Sequence, residues 1–329
     1  MNQQQRKCLI ALTADWSSSI QFDVPMASYS TLRAGGKVAG LIDVHSLSEL
    51  QELVGFLHEQ QLVFRIIGRG SNILVTDKGF PGVMIRFKGA FEQITFTEKI
   101  DDSKSAEFFL VQAGGGCSLG KLLSWSIMQG LSGLECMAGI PGSVGGAVRM
   151  NAGAVGGEIG DCLHSLECVT DCGHVVQVLR SDLQLSYRKT ELARNFITRD
   201  IKQRITSLHS INPLLVVSAY FKLRPVGKEQ VHSRCVGFLT QRKERQPTGV
   251  ASAGSFFKNP PNDAAGRLIE ATGLKGRCYG EAMVSQKHAN FIVNTGKGTA
   301  TDILTLMEQV QEAVFQKFAV RLEPEVEII

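Results

Sequence analysis

The sequence predicts an α+β fold of two domains, the larger one N-terminal. Three observations carry this. The chain has 329 residues, 43% apolar and 20% charged, which suits about two globular domains with a sizeable core. From Tyr29 onward, short apolar β runs alternate with capped helical patterns. At Pro225 the pattern breaks, and a basic helical stretch, Lys228–Arg245, opens a second unit. The boundaries expected are an N-terminal extension over 1–25, a large domain over 26–222 with an internal division near 90, and a smaller domain over 223–329.

In chain order, residues 1–25 show no strong pattern. Leu41–Val44 suits a strand, Ser46 caps a helix to about Gln60, and Val63–Ile67 is another apolar run. A turn, Gly68–Arg69–Gly70–Ser71–Asn72, leads to Ile73–Val75, with Val83–Phe87 after it. Phe91–Phe96 and Phe108–Gln112 read as strands separated by the polar stretch 98–106. Ser118 caps a helix to about Gln129, and strands follow at Leu163–Thr170, His174–Leu179 and Pro213–Leu223. In the second unit Asp263 caps Ala264–Thr272, with Gly273 at the position that favours glycine after a helix. Ala289–Val293 is a short strand. Thr299 and Asp302 form a capping box. It opens a helix with the stripe Ile303, Leu306, Met307, Val310, Ala313, Val314 and Phe318. Pro324 interrupts the last β run, Val320–Ile329.

Composition excludes several classes. The net charge is +4, from 35 basic and 31 acidic residues, and it is scattered, so nucleic acid is not expected as a partner. The uncharged run Cys136–Val148 carries one proline and four glycines. A membrane span needs about 20 apolar residues. The stretch Cys8–Ala14 behind Arg6 and Lys7 is short for a signal peptide and ends at Asp15. The eight cysteines show neither CxxC pairs nor Cys/His metal spacing. They read as reduced thiols of a cytoplasmic protein, and no metal is expected.

Glycine is the anomaly: 34 in all, of which 14 fall between positions 114 and 160. Dense glycine interleaved with Ile140, Val144 and Val148 means a backbone lying very close to something. In Gly139–Ile140–Pro141–Gly142–Ser143–Val144–Gly145–Gly146–Ala147 that something is either a flat ligand or another stretch of backbone. The Gly68–Asn72 turn is likewise either a plain tight turn or a nest of N–H groups that binds an anion. It is neither GxGxxG nor GxxxxGK[ST]. The third segment, Ser252–Pro260, sets Ser255 behind a glycine with Lys258 and Asn259 nearby. This segment is not a G-x-S-x-G elbow. Tyr187, Arg188, His288 and Glu325 would each be unremarkable alone.

Together these motifs form a pattern. From about Tyr29 to Ile329 the chain resembles the bacterial UDP-N-acetylenolpyruvoylglucosamine reductases. The resemblance rests on GRGSNILVTDKGFPG (68–82), LSGLECMAGIPGSVGGAVRMNAGA (131–154), SYRKT (186–190), SAGSFFKNP (252–260), AGRLIEATGLKG (265–276), VSQKHANFIVN (284–294) and LEPEVEII (322–329). It implies an FAD-binding fold of the vanillyl-alcohol oxidase and p-cresol methylhydroxylase type, followed by a smaller α+β substrate domain.

The implied activity is a UDP-N-acetylmuramate dehydrogenase of peptidoglycan synthesis, acting as a monomer on a UDP-sugar. NADPH reduces FAD, hydride passes from flavin N5 to the enolpyruvyl group, and Ser255 supplies the proton, with Arg188 and Glu325 as electrostatic partners. FAD is implied along Gly68–Asn72 and Gly139–Ala147, and substrate at Tyr187, Lys258, Asn259 and His288. The short PPNDA connection after Asn259–Pro260 places the chain in the compact branch that lacks a tyrosine-bearing loop over the substrate diphosphate. Lys258 and Arg242–Arg245 are the candidates to replace that loop. A flavin oxidase of the same fold, or a binding protein using the basic helix 228–245, are the competing classes.

Overall fold

The computed structural model describes residues 1–102, 106–154, 156–193 and 215–329. The chain divides into two compact units that are interleaved in sequence. The first comprises Met1–Ile20, Ile42–Gly68 and Met84–Thr240, and the second Gln21–Leu41, Arg69–Val83 and Gln241–Ile329. The linear division expected at 222/223 therefore differs from this grouping, because two early segments join the C-terminal residues.

The first unit is built on an antiparallel sheet in the order Val175–Leu179, Leu163–Val169, Leu215–Pro225, Ala106–Gly114, Ile94–Asp102. Leu131–Ser132 pairs with the end of Leu215–Pro225. Along that central strand Val217, Ala219, Phe221 and Leu223 fall on one face and are all buried, as a two-residue period requires. Ala219, Phe221 and Leu223 share a core with side chains from the helices α3 (Leu119–Gln129) and α4 (Val144–Arg149). Ahead of these in the chain lie α1 (Gln3–Leu12) and α2 (Leu47–Glu59), the latter capped by Ser46 as expected. After them comes α5 (Lys228–Arg245), with the bounds expected.

Two expectations need correction here, and a third falls partly outside the described residues. Residues 1–25 are not patternless: Asn2 and Gln5 close a capping box on α1, and Gln21–Pro25 pairs with Lys37–Val44. Only Leu9 of α1 is buried, so no apolar stripe advertises the helix. Phe91 lies in a 3-10 turn, Gly89–Glu92, stacked on Phe87 at 4.6 Å, and the strand starts later, at Ile94. The strand expected from Pro213 is seen from Leu215, its first two residues lying outside the described part.

All eight cysteines are free. Burial pushes the thiols of Cys117, Cys136 and Cys235 up to about 11, which keeps them protonated and unreactive at neutral pH.

The second unit holds a short antiparallel sheet, Ala251–Ser252, Ile292–Asn294, Ala282–Val284, Cys278–Tyr279, in that order. The expected strand Ala289–Val293 thus begins only at Ile292. Two helices complete the unit, α6 (Ala265–Ala271) and α7 (Ala300–Phe318). The α7 stripe Ile303, Leu306, Met307, Val310 and Val314 packs with Phe256, Phe257, Leu268, Leu322 and Val326 into one core. Thr299 and Asp302 form the expected capping box. The Asp77 carboxylate adds a second cap, accepting from Ala300 N at 3.1 Å and Thr301 N at 2.8 Å. Burial pushes the Asp77 carboxyl up, but these bonds and that from the Thr301 hydroxyl outweigh it and hold it below the usual range.

Candidate active site

In the second unit three of the motifs lie side by side. The C-terminal run forms a parallel ladder with the strand after the Gly68–Asn72 turn, Glu327 opposite Ile73 and Ile328 opposite Leu74. On its other side Pro324 bridges Phe257 in antiparallel sense, Glu325 N–H donates to Phe256 O at 2.8 Å, and Lys258 N–H donates to Glu323 O at 2.9 Å. The final β run is therefore tied on two edges rather than frayed. Proline at 324 is tolerated because neither edge needs its missing N–H.

Ser255 directly precedes the Phe256 whose carbonyl accepts from Glu325. It follows Gly254, at φ +80°, and is half-buried, while Phe256 and Phe257 are fully buried. The two aromatic rings anchor the segment in the core and leave the serine at its margin. One carboxylate oxygen of Glu325, Oε2, is buried. The Asn72 carboxamide donates to the Glu325 carbonyl at 3.0 Å.

His288 lies in the same unit. Its Nδ1 accepts from Asn290 N–H at 3.2 Å, which leaves the ring proton on Nε2, and its ring meets Phe291 edge-on at 5.0 Å. Burial, followed by the charge of Lys275, holds its pKa below the ordinary value. Lys258 pairs with Glu323 at 3.4 Å. Asn259 accepts from Ala265 N–H at 3.0 Å and so caps α6. Asp263, the expected cap, instead lies one residue before the N-cap position, Ala264, accepts from the Ala264 N–H and pairs with Arg267.

The first unit holds Tyr187 and Arg188, in the two-residue turn of the hairpin Leu183–Ser186 and Lys189–Leu192. Arg188 has φ +59°, a left-handed conformation that costs a residue with a side chain about 1–3 kcal/mol. Its guanidinium stacks on the half-exposed Tyr187 ring at 5.0 Å and donates to Gly153 O at 3.1 Å. Buried Asn151 donates to Ser186 O at 3.1 Å, and the Thr190 hydroxyl donates to Val148 O at 2.5 Å. The MNAGA motif thus pins the arginine hairpin.

The glycine-rich loop separates into two kinds of position. Gly142–Gly145 lies along Gly115–Cys117, with Leu119 N–H donating to Gly142 O, Val144 N–H to Cys117 O and Gly145 N–H to Gly115 O. A Cβ on Gly145 would sit 3.1 Å from Gly115 O and 3.3 Å from Val216 O. For Gly145 the protein's own backbone is the close neighbour. Gly146 is exposed, and a Cβ there would meet only Ser143 Oγ, at 3.4 Å. Gly139 and Pro141 are exposed as well. Gly68 touches this loop, since a Cβ on it would fall 2.3 Å from Ser143 Oγ. Ile140 packs against the core and Ala147 belongs to it. Within the second unit Gly70, at φ +62°, comes so close to Tyr29 O that a Cβ would overlap it, while Arg69 is exposed and Ser71 half-buried.

Residues 246–329 match the family profile described as the C-terminal domain of UDP-N-acetylenolpyruvoylglucosamine reductase, and residues 38–179 match an FAD binding domain. The UDP-N-acetylenolpyruvoylglucosamine reductase of Agathobacter rectalis is 39% identical, covering 93% of this chain and 93% of its own length. The chain belongs to the UDP-N-acetylenolpyruvoylglucosamine reductase family. It is an oxidoreductase with an FAD-binding domain. The reductase of Desulfosudis oleivorans is 38% identical over 97% of each chain. The crystal structure of the Thermus caldophilus reductase superposes with a TM-score of 0.74 at 35% identity, over 94% of this chain and 98% of that one.

Three residues to which the sequence assigns no role of their own brace separate segments: Asp77 caps α7, Asn151 holds the arginine hairpin and Asn290 holds Phe257. Asp77 was legible only as part of the 68–82 motif, Asn151 as part of MNAGA. Asn290 carried a signal of its own, a carboxamide set between Ala289 and Phe291 in an apolar run.

Proposed function

We propose that this chain reduces the enolpyruvyl group of UDP-N-acetylglucosamine enolpyruvate to UDP-N-acetylmuramate for peptidoglycan, with NADPH as reductant, as a cytoplasmic monomer. The observation that supports this best is the pairing of Glu325 with Phe256, which keeps a carboxylate and the serine before Phe256 on neighbouring strands. No helix among the described residues is long and apolar enough to cross a membrane.

The residues present suit FAD. Gly68 approaches Ser143 of the second glycine loop, and Gly146 offers an exposed backbone where a Cβ would meet only Ser143 Oγ, at 3.4 Å. Gly68–Asn72 and Gly139–Ala147 would hold it. When bound, FAD supplies hydride transfer from its N5, having been reduced by NADPH.

The chain's own residues do the rest. Addition of hydride to the vinyl carbon builds negative charge toward the substrate carboxylate, and the Arg188 guanidinium, fixed in its hairpin, stabilises that charge. Ser255 gives its proton to the adjacent carbon. A hydroxyl is a weak acid, so it acts only on an anion basic enough to take the proton. Glu325 orients that anion and complements the serine. His288 offers an Nε2–H donor to the substrate, with Tyr187 and Asn259 as further contacts. Lys258 and the last turn of α5, with Arg242, Lys243 and Arg245, hold the diphosphate.

Steady-state kinetics test this. NADPH consumption that depends on the enolpyruvyl UDP-sugar supports the reading. Oxygen consumption driven by an alcohol, with no response to the UDP-sugar, replaces it with an oxidase.

A further inference from the structure

We infer that two asparagine side chains, Asn290 and Asn72, are positioning residues that set the register between Ser255 and Glu325; the inference rests on the function proposed above. Asn290 is 3% exposed, and its carboxamide is used twice on one peptide. Oδ1 accepts from Phe257 N–H at 2.9 Å, and Nδ2 donates to Phe257 O at 2.8 Å. Its own carbonyl accepts from Phe256 N–H at 2.7 Å. A side-chain amide thus imitates a neighbouring strand over the two residues that follow Ser255. A carboxamide suits this because it presents a donor and an acceptor in one plane.

The other edge of the same segment carries Glu325, through its N–H to Phe256 O. Glu325 is in turn bracketed by Asn72. The Asn72 carboxamide donates to Glu325 O at 3.0 Å, and the Asn72 carbonyl accepts from Glu327 N–H at 2.9 Å. The order across the unit is therefore Asn290, Ser255–Phe257, Glu325–Glu327, Asn72. One amide holds the proton donor and the other holds the carboxylate, and neither needs to touch substrate. Asn290 also donates its N–H to His288, so the bracket fixes that ring as well. Because Asn72 belongs to the turn implied to hold FAD, it links that turn mechanically to Glu325.

The effect of loosening such a register is large, since a displacement of about 1 Å at a reacting group costs on the order of 100-fold in rate. The test uses the holoprotein and separates the half-reactions by stopped flow. In Asn290→Asp, assayed at a pH where the new carboxyl is ionised, the side chain keeps the acceptor and loses the donor, and Asn72→Ala removes the second bracket at a half-buried position. Asn290→Asp is expected to leave FAD content and reduction by NADPH within about twofold of wild type; Asn72→Ala, whose turn is implied to hold FAD, is compared on its FAD-bound fraction, where reoxidation should slow more than reduction. Reoxidation by the enolpyruvyl UDP-sugar should slow by about 10- to 100-fold, in kcat rather than KM, with a larger solvent deuterium isotope effect. Amide exchange at Phe257 should quicken in Asn290→Asp.

Reoxidation at the wild-type rate in a folded, FAD-replete variant overturns the inference, as does equal slowing of both half-reactions. If Asn290→Asp does not retain FAD, Asn72→Ala decides by the ratio of reoxidation to reduction in its FAD-bound fraction, an unchanged ratio overturning the inference. If wild-type protein is itself not reoxidised by the enolpyruvyl substrate, the proposed function fails. Unchanged Phe257 exchange in Asn290→Asp would separately overturn the bracket.

Discussion

The glycine-rich loop 139–147 and the serine–glutamate segments 252–260 and 322–329 reach order by opposite routes. In the loop the backbone itself makes the contacts, and Gly145 and Gly146 stand next to each other with different neighbours. Gly145 is pressed against Gly115 and Val216, while Gly146 is exposed and a Cβ there would meet only the Ser143 hydroxyl. In the second region bulky side chains, Phe256, Phe257, Leu322 and Val326, anchor the strands in a core, and amide groups set their register. Glycine content shows where a backbone approaches something closely. It does not show whether that something is the protein or a ligand.

The largest expected effect sharpens the second half of the comparison. Ser255→Ala should retain FAD and be reduced by NADPH at near the wild-type rate, yet lose about 100- to 10,000-fold in reoxidation by the enolpyruvyl substrate. Single-turnover absorbance measures both, and equal loss in the two would remove Ser255 from the proton-donating role. Glu325→Gln comes next, with turnover lowered at least ~100-fold, while flavin content and Tm barely move. Normal turnover in that variant would make the C-terminal ladder a purely structural feature.

The two glycines can break the first half. Gly145→Val forces a branched side chain against two backbone carbonyls and should cost about 1–3 kcal/mol of stability, read as a lower melting temperature. Gly146→Val should melt near wild type but purify largely without flavin. If the two outcomes are exchanged, the assignment of one neighbour to protein and the other to cofactor is wrong.

The smallest effect concerns pH. Burial holds the folded His288 pKa below its ordinary value of 6.5. As the pH falls through 6.5 the unfolded chain takes the proton first, so the native state loses stability until its own lower pKa is reached. His288→Gln lacks this loss. Its stability relative to wild type should therefore rise between pH 7 and pH 5 in denaturant titrations, and a constant difference would show that the ring carries no such penalty.

What the sequence discloses and what it hides follows the range of the interactions. The caps at Ser46, Ser118 and Thr299 and the stripe on α7 are local, spanning three to seven residues, and all stand where the pattern puts them. Gly273 follows α6 at φ +76° for the same reason. The pairing of Glu327 with Ile73 and the Asn290 bracket on Phe257 span long stretches of chain and leave no periodic trace. Nor does α1, with a single buried residue, reveal itself. Ser255, Arg188 and Glu325 emerged from the motifs taken together, because each alone is an ordinary polar residue. The interleaving of the two units escaped the sequence reading, since segments 21–41 and 69–83 join residues far away in the chain.

One measurement tests the central claim directly: an anaerobic titration of the purified wild-type chain followed by flavin absorbance. The account predicts an oxidised flavin spectrum that bleaches with NADPH and returns in full on adding one equivalent of the enolpyruvyl UDP-sugar. A chain without flavin absorbance, or a bleached spectrum restored by oxygen and not by the UDP-sugar, would contradict it.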